Sequence, residues 1–243
     1  MSGTAMTTAA ITIAVLMIGT WVVSVAVKNA SIVDVAWGLG FVLVAWAVRL
    51  RVDGLTARQN LLVLMTSVWG LRLAGYLFWR NHGKGEDFRY KAMRKHWGAR
   101  FPWVSLVTVF GLQGVLMFVV SLPVQLGQGP TSPALGWLGG VGVVVWAVGL
   151  FFEVVGDAQL ARFKSNPANS GQVMSSGLWK FTRHPNYFGD ACVWWGIALV
   201  AAETTAGRWG LIGALVMTVL LRCVSGVVLL EKSLGKRKPG YAE

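Results

Sequence analysis

The chain carries one short segment dense in groups that can do chemistry, Arg183-His184-Pro185-Asn186-Tyr187-Phe188-Gly189-Asp190, which runs straight into an apolar stretch. Proline has a fixed φ and no N–H. It suits a first helical turn and disfavours a helical residue before it, so the spacing predicts a helix starting at Pro185. Asn186 and Asp190 then stack on one face, with Trp194 one turn further along. Arg183 and His184 sit at the helix mouth, where free backbone N–H groups and the positive end of the dipole favour an anion. Such a junction can hold a phosphate outside and hydrogen-bond a neutral polar group inside.

Other candidates lie elsewhere in the chain. Trp69, Arg72, Tyr76 and Arg80 recur at spacings of three, four and four, one stripe on one helical face. Arg80 can snorkel to the helix end, whereas Arg72 lies about two turns in and needs an anion or a hydrogen-bonded cavity. Two readings are open for Asp34: compensation of the dipole in the first turn of a helix, or a carboxyl group facing a bundle interior. Glu153 and Asp157, four apart, with Gln159, Arg162 and Lys164 beyond, read either as a solvated helix end or as part of a site. Lys84, in a glycine-flanked polar stretch, is a candidate phosphate contact. Arg222, deep in an apolar run, needs a partner such as Asp190 or a phosphate. His82 and His96 read as ordinary loop residues. Cys192 and Cys223 lack the CxxC spacing and read as packing, and no metal-ligand pattern is present.

The elements that must position these groups are membrane spans. Of the 243 residues 55% are hydrophobic and only 13% charged, about half the charged share of a soluble domain. Apolar runs near 7–27, 32–48, 61–79, 103–122, 135–152, 186–202 and 209–230 predict an all-α polytopic membrane protein with seven transmembrane helices, the second and sixth short. The first run has no basic residue before it, the reverse of a secretory leader, and reads as a retained helix. Residues 87–97 could form a basic amphipathic helix on the membrane surface. The glycines at 136, 139, 140 and 142 permit close helix contact, and with no GxGxxG and no preceding strand they make no Rossmann motif.

The formal net charge of +12 could suggest nucleic acid, but the cations fall in alternate loops. Lys28, the residues from Arg80 to Arg100, those from Arg162 to Arg183 and the tail from Lys232 to Lys238 lie on one side; Arg49, Arg51, Arg58 and Arg208 lie on the other. The positive-inside rule then puts the N-terminus outside and the C-terminus in the cytoplasm, as for a bacterial inner-membrane protein. Basic loops of this kind contact anionic lipid, and no nucleic acid is expected.

The segment GLWKFTRHPNYFGD closely resembles the C-terminal signature of the steroid 5-alpha reductase superfamily, especially its bacterial members. The similarity extends through Gly156-Asp157, Arg162-Phe163-Lys164, Leu221-Arg222, and Glu231-Lys232 to Tyr241. The tail ends at Tyr241-Ala242-Glu243, shorter than the resemblance implies. A shorter R-H-P-x-Y-x-G core also resembles isoprenylcysteine carboxyl methyltransferases, which use S-adenosylmethionine. The resemblance implies a single membrane domain, residues 1–243, whose 135–243 half binds NADPH, and an enzyme of lipid metabolism that reduces a carbon–carbon double bond in a steroid, isoprenoid or fatty-acyl substrate. It implies that Asn186 and Asp190 hold the nicotinamide end and that Arg72, Lys164, Arg183 and Arg222 hold the phosphates. Arg80, Lys84, Asp157, Arg162, His184 and Tyr187 complete the cofactor site, and Asp34 and Tyr76 are proton donors. Trp69 stands where those reductases have a substrate-facing tyrosine. An S-adenosylmethionine-dependent methyltransferase and a non-enzymatic lipid-binding protein are the alternatives.

Overall fold

A computed structural model describes residues 2–52, 54, 56–129, 134–224, 226, 227 and 231. The tail from Lys232 through Tyr241, with its basic residues, lies outside the described residues. Among the described residues every regular element is helical. The long helices are α1 (Ser2–Ala26), α2 (Ile32–Arg49) and α3 (Ala57–Asn81); α4 (Phe88–Trp97) leads through a 3-10 turn into α5 (Phe101–Ser105), a π-helical stretch (Leu106–Gly111) and α6 (Leu112–Val120). A short α7 (Leu122–Leu126) precedes α8 (Trp137–Ser165), α9 (Pro185–Ala202), and α10 (Leu211–Val219), which continues into a second π-helical stretch (Leu220–Val224).

Six helical segments are long and apolar enough to cross a membrane: 3–26, 32–49, 57–81, 88–120, 137–165 and 207–224. Their outward faces carry large apolar side chains, as lipid requires: Val15, Leu71, Val107 and Val144 are each more than half exposed. The expected sixth span, α9, is not among them. It begins at Pro185 as the sequence predicts, but Asn186, Tyr187 and Asp190 make its first turn and a half polar. The chain is an all-helical integral membrane protein on this architecture.

Two close helix pairs organise the interior. Gly142, Gly149 and Gly156 repeat every seven residues on α8 and face Gly196, Gly189 and Pro185 on antiparallel α9. A Cβ on Gly142 would lie 2.7 Å from Gly196 O, and one on Gly149 would lie 2.5 Å from Gly189 O. The backbones therefore touch, and the residues between the glycines on each helix meet across the seam. In the second pair a Cβ on either Gly38 of α2 or Gly70 of α3 would sit 2.6 Å from the other's carbonyl oxygen. Phe41, Trp69 and Trp194 fill the space where α2, α3 and α9 converge, in edge-on contacts of 4.6–5.6 Å.

At one end of the bundle, buried Arg58 pairs with Glu203, which also accepts from the N–H groups of Gly136 and Gly139 at the start of α8. A capping box between Thr56 and Gln59 starts α3 beside it. Burial pushes the Glu203 carboxyl up, but those two N–H groups and Arg58 outweigh it and hold it below the ordinary carboxylate value. The opposite end of the bundle holds the chemistry-bearing residues.

Candidate functional site

The α8–α9 seam brings the acids of α8 against the polar head of α9, and α3 supplies their counter-charge. Arg72 donates through Nη1 to Glu153 Oε2 at 2.5 Å and through Nη2 to the Glu153 backbone oxygen at 2.9 Å. The same Nη2 reaches Asp157 Oδ2. Trp69 Nε1, one turn earlier on α3, donates to the other Glu153 oxygen at 3.0 Å. Asn186 Nδ2 donates to Asp157 Oδ1 at 3.3 Å, linking α9 to the cluster. Glu153 and Asp157 are 2% and 7% exposed, so the solvated-end reading of these two acids does not hold. α8 runs on to Ser165, well past the end of the apolar run.

Asp190 lies one turn beyond Asn186 and within electrostatic reach of Arg72, Asp157 and Glu153. Its Oδ1 is closed off from solvent and has no hydrogen-bond partner among the described residues, an arrangement that costs free energy unless a donor is supplied. Two carboxyl groups thus hold one guanidinium directly, and a third lies within its electrostatic reach. Both ends of Arg72 are engaged by protein acids, so it holds those acids in place and is not a free phosphate ligand.

Tyr76, one turn past Arg72, lies between two guanidinium groups, with Arg72 and Arg80 Cζ at 5.5 and 5.7 Å from its ring centre. Arg80 is exposed at the helix end and acts electrostatically on Asp34, Asp157 and Tyr187 alike. Asp34 belongs to a second polar cluster. Tyr90 of α4 donates to Asp34 Oδ1 at 3.0 Å and lies 3.4 Å from Gln113 Nε2, while Arg89 approaches Asp34 Oδ2 at 3.4 Å. Tyr90 is 5% exposed. Ser31 and Glu86 fasten this cluster: Ser31 Oγ accepts from Asp87 N–H, and Glu86 accepts from Ala30 N–H and Arg94. The Arg94 hydrogen bond holds Glu86 below the ordinary carboxylate value.

At the mouth of α9, His184 stacks on Tyr187 at 5.5 Å and places Nε2 3.5 Å from Glu231. Burial pushes its imidazole down, partly opposed by Glu231. Arg183 is more exposed and lies 3.8 Å from the same carboxylate. The loop after α8 is pinned back onto that helix through Trp179 Nε1 to Gly156 O and Leu178 N–H to Gln159 Oε1, both at 3.0 Å. Beneath it lies a hollow of about 360 Å³ lined by Leu160, Phe163, Lys164, Asn166 and Asn169 among others. Arg162 is exposed nearby.

A family model described as a protein of unknown function, DUF1295, matches residues 20–243. The chain belongs to the DUF1295 family. It is also 38% identical over 66 residues to a protein named "Probable O-methyltransferase ustE" from Ustilaginoidea virens. That match takes in 27% of this chain and 23% of the relative, so the chain spans less than a quarter of that protein's length. No solved structure matches the chain.

In this DUF1295 protein Asp34 belongs to the Tyr90 cluster, and the other site residues singled out in the sequence divide into three groups. Arg72, Tyr76, Asp157, Asn186, Tyr187 and Asp190 come together. Arg80, Arg162, Lys164, Arg183 and His184 lie around them at the same end. Lys84 is exposed in the turn before α4, and Arg222 is exposed with no hydrogen bond or ion pair to Asp190. The buried face of the last span runs through Gly213, Ala214 and Met217, and a residue five past Met217 falls off that face. Glu153, Trp69 and Tyr90 are central to the two clusters; the sequence left Glu153 open between a helix end and a site, gave Trp69 only the place of a substrate-facing tyrosine, and gave Tyr90 no role. The signal for Glu153 was its spacing of four from Asp157; nothing local pairs Tyr90 with Asp34, 56 residues away.

Proposed function

We propose that this chain is a membrane-embedded reductase that uses NADPH to saturate a carbon–carbon double bond in a lipid-like substrate. The observation that carries this reading is the acceptor-rich interior formed by Asp157, Asn186 and Asp190, with an orphaned Asp190 oxygen, beneath a rim of exposed cations. A carboxamide offers N–H donors that suit Asp190 and a carbonyl that suits an amide N–H of Asn186. A pyrophosphate and a 2′-phosphate suit Arg80, Arg162, Lys164 and Arg183 at the rim, and the hollow beside Lys164 suits the adenosine end. The nicotinamide ring supplies the hydride when bound. Because Asp190 Oδ1 is sealed, binding there requires the side chains over it to yield.

Addition of hydride to one carbon of a polarised double bond leaves the other to take a proton. Buried Tyr90 and half-buried Asp34 form a hydrogen-bonded pair suited to deliver it, with Gln113 orienting the phenol. Tyr76, held between Arg72 and Arg80, is the second candidate donor. In this reading α9 is a seventh span, the cation-rich end faces the cytoplasm, the membrane is a bacterial inner membrane, and the resemblance to steroid 5-alpha reductases reflects shared chemistry.

A second reading has two observations in its favour. Three carboxyl groups within electrostatic reach of one guanidinium suit a cationic ligand, and S-adenosylmethionine brings a sulfonium and an ammonium; the partial match to the ustE protein, named a probable O-methyltransferase, points the same way. Thermal stabilisation of the detergent-purified protein separates the two, since a ligand that binds only the folded form raises its apparent stability. Stabilisation by NADPH and not by S-adenosylmethionine is expected. The reverse would make the protein a methyltransferase.

A further inference from the structure

At the end of the bundle away from the carboxyl cluster, the last turns of α2 and the first turns of α3 enclose a groove of about 510 Å³, within the roughly 300–1,000 Å³ typical of small-molecule sites. Trp46 and Arg49 of α2 and Leu50, its C-terminal cap, line one side of the groove, the latter two lying three and four residues after Trp46. Asn60, Leu64 and Ser67 line it from α3, at spacings of four and three. Each set is therefore one helical stripe, and the two stripes face each other. Two polar rungs cross the groove: Arg49 Nε to Asn60 Oδ1 at 3.5 Å near the helix ends, and Trp46 Nε1 to Ser67 Oγ at 3.1 Å deeper in. Asn60 and Ser67 are seven residues apart, about 10 Å along the axis.

The walls between the rungs are apolar and face outward. Leu50 is 79% exposed, Leu64 59% and Trp46 50%, and both helices belong to membrane-spanning segments. Such a surface meets lipid. At its open end Arg49 makes no contact with a carboxylate among the described residues; its described partners are Asn60 Oδ1 and the Val52 carbonyl. Glu203, the described acid at this end, is engaged by Arg58 and the start of α8. Exposed Arg51 adds a second cation beside Arg49. A guanidinium at headgroup depth, an amide next to it and an apolar channel running about 10 Å inward match one ligand class: a glycerophospholipid with its phosphate on Arg49 and an acyl chain along Trp46 and Leu64.

We infer that the α2–α3 groove is a phospholipid-binding site, separate from the carboxyl cluster. The test is native mass spectrometry and lipid-dependent thermal stabilisation of the detergent-purified full chain. Dioleoyl phosphatidylglycerol is the probe, with dioleoylglycerol, which has the same chains and no phosphate, and inorganic phosphate as comparators. Tighter retention of the phospholipid than of either comparator is expected. Arg49→Gln should weaken retention about fivefold, the effect of one interfacial cation, and Ser67→Phe, which fills the deep end, should weaken both lipids. Should Arg49→Gln fail to fold, Ser67→Phe alone decides. Unchanged lipid retention in the folded variants would overturn the assignment, leaving Arg49 as a cap for the end of α2. Equal stabilisation by inorganic phosphate alone would also overturn it, as the ligand would then be a free anion.

Discussion

Replacing Arg72 by methionine would leave Glu153 and Asp157 buried without their counter-charge. Breaking a buried ion pair from one side costs on the order of 3–5 kcal/mol, so Arg72→Met should lower the denaturation free energy by about 3 kcal/mol, as measured by chemical denaturation in detergent. A solvated, non-structural Arg72 would cost almost nothing. Tyr90→Phe acts differently. It keeps the ring and removes the proton, so turnover should fall by about 10²-fold or more, in the range for loss of a general acid, while cofactor-dependent stabilisation is retained. Glu86 and Glu203 both hold their protons less tightly in the folded protein than at the ordinary value of 4.5. Their contribution to stability is therefore complete above about pH 4.5 and is lost as pH falls through the lower folded values. Melting temperature should drop on acidification below pH 4.5, and Glu203→Gln should flatten part of that decline. At this scale the sequence was partly legible: Asn186 and Asp190 share a face because four residues make a turn. The partners Glu153 for Arg72 and Tyr90 for Asp34 were not, because they are set by which helices pack together, 81 and 56 residues apart.

At the scale of elements, the glycine seam decides whether the site exists. On Gly149 a Cβ would meet the Gly189 carbonyl and the Val193 backbone nitrogen at 2.5 and 2.6 Å, and neither can move without displacing α9. Gly149→Ala should destabilise by about 1–3 kcal/mol, the usual cost of overpacking, and should weaken cofactor binding even though the residue carries no polar group. Gly140, whose Cβ would meet nothing within 4 Å, is the control: Gly140→Ala should leave ligand binding unchanged and stability unchanged or raised by up to about 1 kcal/mol. Thermal denaturation of the two variants side by side checks this. The start of α9 at Pro185 and the short lengths of α2 and α9 follow from proline chemistry and the limits of the apolar runs. The extension of α8 to Ser165 does not follow from hydropathy, since its polar residues read equally well as a helix end until α3 and α9 cover them. Arg222 shows the converse: apolar surroundings in sequence suggested burial, but its place on the helix turns it outward.

For the whole molecule, the two ends divide the work. One end is closed by the Arg58–Glu203 pair and the capping of α3 and α8. The other gathers the carboxyl cluster, the Asp34–Tyr90 pair and the exposed cations, the groups on which the proposed reductase reading rests. Hydropathy made the all-helical, multi-span character readable before any contact was known, although six described segments, not the expected seven, are long and apolar enough to cross a membrane. The arrangement of the buried acids was not readable in the same way, because Glu153 and Asp157 become neighbours of Arg72 only on folding. The most direct measurement is equilibrium binding of NADPH to the purified protein, followed by its nicotinamide fluorescence, in the native chain and in Asn186→Ala and Asp190→Ala. Saturable binding that weakens about tenfold or more in each folded variant, as expected for loss of a buried hydrogen-bonding partner to the ligand, is the result the proposed reductase reading predicts. Absence of NADPH binding, or binding that both variants leave untouched, would contradict it.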